Sequence, residues 1–150
     1  MELIDQITED IKKAMLAKDK VRLDTLRGIK KELLEAKTAK GADGSVSEDA
    51  GLKIMQKMVK QRKESAEIYQ GMGRQDMAES ELQQAAVIEE YLPKPLTDAE
   101  LTAAVQAIIA ETGAKGPQEM GKVMGVASKR LAGKVEGRAL SEKVKALLNQ

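Results

Sequence analysis

The sequence predicts an all-α protein, with a long-helix N-terminal region followed by a small three-helix C-terminal domain. Three observations carry this. Apolar residues recur at three- and four-residue spacing through most of the chain, and no run alternates apolar and polar residues as a half-buried strand would. The pattern is cut at Pro93 and Pro95, which remove backbone donors and disfavour helix in the residues before them. The boundary is therefore placed there, giving regions 1–92 and 93–150. The 150 residues suffice for one ordinary domain or two small ones.

The elements follow in order. Leu3, Ile4, Ile7, Ile11, Ala14 and Met15 share one face of a first helix. After Asp19, Leu23, Leu26, Ile29, Leu33 and Leu34 form the apolar face of a second, with Lys30 and Lys31 outward. The stretch KGADGSVSED, Lys40 to Asp49, breaks the period with two glycines, and Ser47 is an N-cap for a third helix carrying Leu52, Met55, Val59, Ala66 and Tyr69. QGMGR stops it at Gly71 to Gly73, and a fourth runs through Met77, Leu82, Ala85, Ile88 and Leu92. Beyond the prolines, Thr97 to Glu100 reads as a capping box ahead of Leu101, Ala104, Val105, Ile108 and Thr112, ending at Gly113. Gly116-Pro117 opens the next helix, and Leu140, Val144, Leu147 and Leu148 belong to the last.

Composition closes many functional routes. There is no Cys, His, Trp or Phe, so the chain has no disulfide, no catalytic thiol, no imidazole base and no Cys/His zinc site. No metal, cofactor or catalytic residue is expected. Ser45, Ser47 and Ser128 lack the surroundings of nucleophiles, and the acids lack metal-ligand spacing. The run KMVKQRKES pairs Lys60 with Glu64 and Lys63 with Glu67 at i,i+4, as a solvated face does. With 25 basic and 24 acidic residues the net charge is +1, so any nucleic-acid or membrane role must sit in a local patch. The N-terminal stretch lacks the apolar core of a signal peptide and no segment approaches about 20 apolar residues. The expectation is a soluble cytoplasmic protein with no membrane partner.

The segment EMGKVMGVASKRLAGKVEGR, Glu119 to Arg138, holds four glycines in a mostly helical pattern. Each interior glycine costs about 1 kcal/mol relative to alanine. On a helix, Met120, Val123, Met124, Ala127 and Leu131 face a core, while Gly121, Gly125, Ser128 and Ala132 form a second stripe bordered by Lys122 and Lys129. Lys115, Lys122, Lys129, Arg130, Lys134 and Arg138 make this the basic part of the C-terminal region. Two readings fit: a neighbouring helix packed closely on the glycines, or a phosphodiester backbone against Gly121 and Gly125 with Lys122, Lys129, Lys134 and Arg138 neutralising phosphates. No aromatic platform for unpaired bases is present in residues 93–150, which favours contact with a folded RNA.

The blocks DKVRLDTLRGIKKELLEAK, VKQRKESAEIYQGMGRQDMAESE, EEYLPKPLTDAEL and MGKVMG, in this order, resemble the GatB/YqeY family and its stand-alone YqeY-like members. The resemblance implies that residues 93–150 are similar to the tail domain of the B subunit of glutamine-dependent aspartyl/glutamyl-tRNA amidotransferase, which helps grip the tRNA. It implies a non-catalytic binder of tRNA or another structured RNA, with amidotransferase or aminoacyl-tRNA synthetase components as partners. Carbon-nitrogen ligase activity would require other subunits, because no P-loop and no amidase signature is present. A helical protein-protein adaptor with no RNA contact is the alternative. Glu136 stands where the family commonly has Asp, which weakens the expected cap of the last helix, and Gly28 replaces a larger apolar residue.

Overall fold

The computed structural model describes residues 2–39 and 41–150. Lys40, at the head of the expected break, and Met1 lie outside them. Among the described residues all regular structure is helical: α1 Leu3–Ala17, α2 Lys20–Thr38, α3 Glu48–Gly71, α4 Gln75–Glu89, α5 Asp98–Thr112, a 3-10 turn Pro117–Glu119, α6 Met120–Arg130 and α7 Gly137–Leu148. The chain divides into two compact units, Met1–Leu92 and Pro93–Gln150.

In the first unit the local signals act as their chemistry dictates. The Asp19 carboxylate accepts from the Arg22 N–H to start α2, and the Ser47 hydroxyl accepts from the Ala50 N–H to start α3. Ile7, Leu26, Ile29, Leu33, Met55 and Ile88 are fully buried together. Gly51 lets α3 approach the other helices closely, since a Cβ there would stand 2.9 Å from Leu3 Cδ2 and 3.7 Å from Leu33 Cδ2. Gly28, half-buried in the middle of α2, has no such duty: a Cβ there would meet only Arg62 Nη2, at an ordinary contact distance of 3.9 Å. Gly28→Ala is therefore expected to raise stability by about 1 kcal/mol, read from the urea midpoint.

Four residues expected in this core are exposed: Met15 at 52%, Leu34 at 41%, Met77 at 37% and Leu82 at 42%. In α4 the buried face is taken by Ala78, Ala85, Val87 and Ile88, and Met77 and Leu82 stand off it. Lys63 reaches Glu89 of α4 at 3.3 Å rather than pairing along its own helix with Glu67.

The end of α4 is tied down by polar contacts. Arg22 grips Glu90 through Nη1 and Nη2 at 3.2 and 2.8 Å, and the Tyr91 hydroxyl donates to Asp10 Oδ2. Burial, and then the hydrogen bond to Asp10, push the Tyr91 phenol above its ordinary value of 10.0. A folded value above the unfolded one means that this stabilisation is complete below pH 10 and is lost as pH rises beyond it. The stability of the wild type relative to Tyr91→Phe should thus shrink between pH 9 and pH 11, measured as the difference in urea midpoints.

The second unit is a three-helix arrangement around Val105, Ile108, Val123 and Val144, with Leu101, Ala127, Leu131, Leu140 and Leu148 completing it. Thr97 and Glu100 form the expected capping box, and Gly113 closes α5 in the left-handed conformation. The 3-10 turn is what Gly116-Pro117 opens, with α6 following. Glu136 caps α7 with backbone only, its side chain making no cap hydrogen bond.

Candidate docking surface

α6 is positioned by its apolar face. Val123 and Ala127 are buried and Met120 and Met124 half-buried, which turns Gly121 and Gly125 outward. Both glycines are exposed, and a Cβ built on either would meet nothing within 4 Å. Close packing by a helix of their own unit is therefore not what keeps them small. The stripe is shorter than its sequence suggested: α6 stops at Arg130, Gly133 turns the chain at φ 77°, and Ala132 is buried beyond the helix end. The open ribbon is Gly121 and Gly125, edged by the half-buried Ser128.

The cations divide into two sets. Lys122 and Lys129 are exposed, about 10 Å apart along the axis, with no acidic partner among the described residues. Two of the others are paired elsewhere. Arg130 pairs with Glu111 at 2.9 Å and Arg138 with Glu142 at 3.2 Å. Lys134 is half-buried, and its carbonyl receives the Leu96 N–H. Of Gly121, Lys122, Gly125, Lys129, Lys134 and Arg138, the structure brings the first four to one face of α6 and sets the last two beyond its end. Among the described residues no group of three or more acidic side chains is placed to hold a metal ion.

A second surface went unnoticed in the sequence. Arg27, Lys30, Lys31, Leu34, Glu35 and Thr38 line a shallow hollow of about 530 Å³ along the outer face of α2. The signal was the i, i+3, i+4, i+7 spacing of Arg27, Lys30, Lys31 and Leu34. The same spacing also places Leu34 on the apolar face beside Leu33, which hides the hollow in the sequence.

The family of Yqey-like proteins matches residues 4–148. The chain belongs to the YqeY-like family. Three fungal relatives are each called Altered inheritance of mitochondria protein 41, mitochondrial. That of Pyrenophora tritici-repentis is 30% identical over 142 residues, covering 92% of this chain and 74% of the relative. That of Kluyveromyces lactis is 28% identical over 146 residues, covering 95% and 74%. That of Clavispora lusitaniae is 36% identical over 90 residues, so the match spans 60% of this YqeY-like chain and about half, 51%, of the relative.

Two expectations are corrected by these findings. The tRNA-binding, amidotransferase-associated role is withdrawn, because the relatives are named for mitochondrial inheritance and the family match is to YqeY-like proteins alone. The geometry gives the physical reason: two uncommitted lysines beside the ribbon fall well short of the roughly six to ten phosphate contacts of a firm nucleic-acid grip. The cytoplasm is withdrawn as well, since all three relatives are mitochondrial by name. Mixed charge does not distinguish one aqueous compartment from another, nor does the finding that no helix among the described residues is long and apolar enough to cross a membrane.

Proposed function

We propose that this YqeY-like chain is a docking protein without chemistry of its own, and that a helix of a partner protein seats on the open ribbon of α6. The observation supporting this is that Gly125 weakens the interior of α6 by about 1 kcal/mol, although a Cβ on it or on Gly121 would meet no side chain within 4 Å. A surface without side chains lets a partner's backbone approach closely. Lys122 and Lys129 on the border favour acidic side chains at the edge of that partner, where charge sets orientation and association rate more than affinity.

A photoreactive residue in place of Ser128 tests this in source-cell extract digested with RNase. The expected result is a protein adduct that disappears when Lys122→Glu and Lys129→Glu are added, and that is absent when the photoreactive residue replaces the exposed Gln106 of α5. An adduct formed equally from Gln106, or one indifferent to the charge reversals, would overturn the docking reading.

A further inference from the structure

We infer that the tip of the α1–α2 hairpin is a contact for an anionic lipid surface. Leu16, at 86%, is the most exposed large apolar side chain among the described residues, and Met15 at 52% and Val21 at 39% across the turn are exposed beside it. Leu16 lies two residues past the buried Ala14, so it points about 200° away from the core, on the face shared by Lys12 four residues before it. A side chain that exposed stands on a convex point. A protein partner would need a matching pocket for it, whereas the soft boundary between headgroups and acyl chains receives a lone leucine without one.

Charge agrees. Lys12, Lys13, Lys18 and Lys20 surround the tip and are exposed. Of the acids near them, Asp19 caps α2 and lies 3.6 Å from Arg22 Nε, Glu90 holds Arg22, and Asp10 accepts from Tyr91 and pairs loosely with Lys13 at 4.0 Å, while Glu9 and Asp24 stand exposed one to two turns back from the apex. Lys18 adds a separate indication. It closes α1 at φ 56°, a left-handed position that favours glycine, so its presence there strains the backbone and places a cation at the apex. Lysine stems lie along an apolar boundary while their ammonium groups stay at the phosphates. The sequence expectation of no membrane partner rested on span length and net charge, and a peripheral contact needs only this local patch.

The chain has no tryptophan, so Leu16→Trp places a sole indole at the tip of the full-length protein. Vesicles of phosphatidylcholine with phosphatidylglycerol should shift its emission to the blue, and pure phosphatidylcholine vesicles should not. Adding Lys18→Glu and Lys20→Glu should weaken that binding about 25-fold or more, at about fivefold per cation. Salt at about 1 M, where the screening length is about 3 Å, should release the protein. In vesicle flotation with no indole present, Leu16→Ser should lower binding several-fold while Ile68→Ser, exposed elsewhere at 63%, leaves it unchanged. No shift, an equal shift with neutral vesicles, flotation indifferent to Leu16→Ser, or the same shift with soluble polyglutamate would each overturn the inference. None of these outcomes bears on docking at α6.

Discussion

Leu33→Ala is expected to lower the stability of the first unit by about 3 kcal/mol, while Leu34→Ala, one residue on, costs less than about 1 kcal/mol. Leu33 is fully buried with Ile29, Leu26, Ile7 and Met55, and the α3 backbone at Gly51 lies against it. Removing three heavy atoms there forfeits their transfer free energy and leaves a void that rigid neighbours fill only in part. Leu34 is 41% exposed on the outer face of α2, among Arg27, Lys30 and Lys31, and its loss opens no cavity. Urea unfolding followed by helical circular dichroism reads both, with the slope checked because two units need not unfold together. Equal costs at the two positions would mean that α2 is rotated from the register described.

The same pair shows where the sequence stops being informative. Spacing placed the seven α-helices of the described residues, because caps and breakers act over a few residues: Ser47, the Thr97 and Glu100 box, Gly113 and Gly116-Pro117 each work locally. Which of two adjacent leucines is buried depends on how wide an arc the neighbouring helices cover, and that is a tertiary quantity. Met77 and Leu82 make the same point, since the buried face of α4 is formed by Ala78, Ala85, Val87 and Ile88 instead. On α6 the glycines and their flanking lysines were legible from helical geometry. That Arg130 is spent on Glu111, 19 positions away in the chain, was not, whereas the pair of Arg138 with Glu142 follows from i,i+4 spacing on α7.

Gly121→Ala combined with Gly125→Ala is expected to raise the stability of the second unit by about 1 kcal/mol, most of it from Gly125, because Gly121 stands in the first turn of α6 where helix propensity counts for less. Neither new methyl group meets an atom within 4 Å, so packing does not diminish the gain in helix propensity. Gly51→Ala is the contrast, because its methyl group must displace Leu3 from 2.9 Å and the gain is offset. Leucine ranks close behind alanine as a helix former, so Gly121→Leu with Gly125→Leu should also leave a folded and stabilised protein. Docking should move the other way: two leucines fill the ribbon that a partner helix needs, and the adduct at position 128 should be lost. Thermal melts and the cross-linking yield are read on the same preparations. Destabilisation by leucine would show that something in the chain already covers α6, and stabilisation with an undiminished adduct would place the partner elsewhere. Only opposite signs in the two measurements explain why a helix keeps two glycines that its own packing does not require.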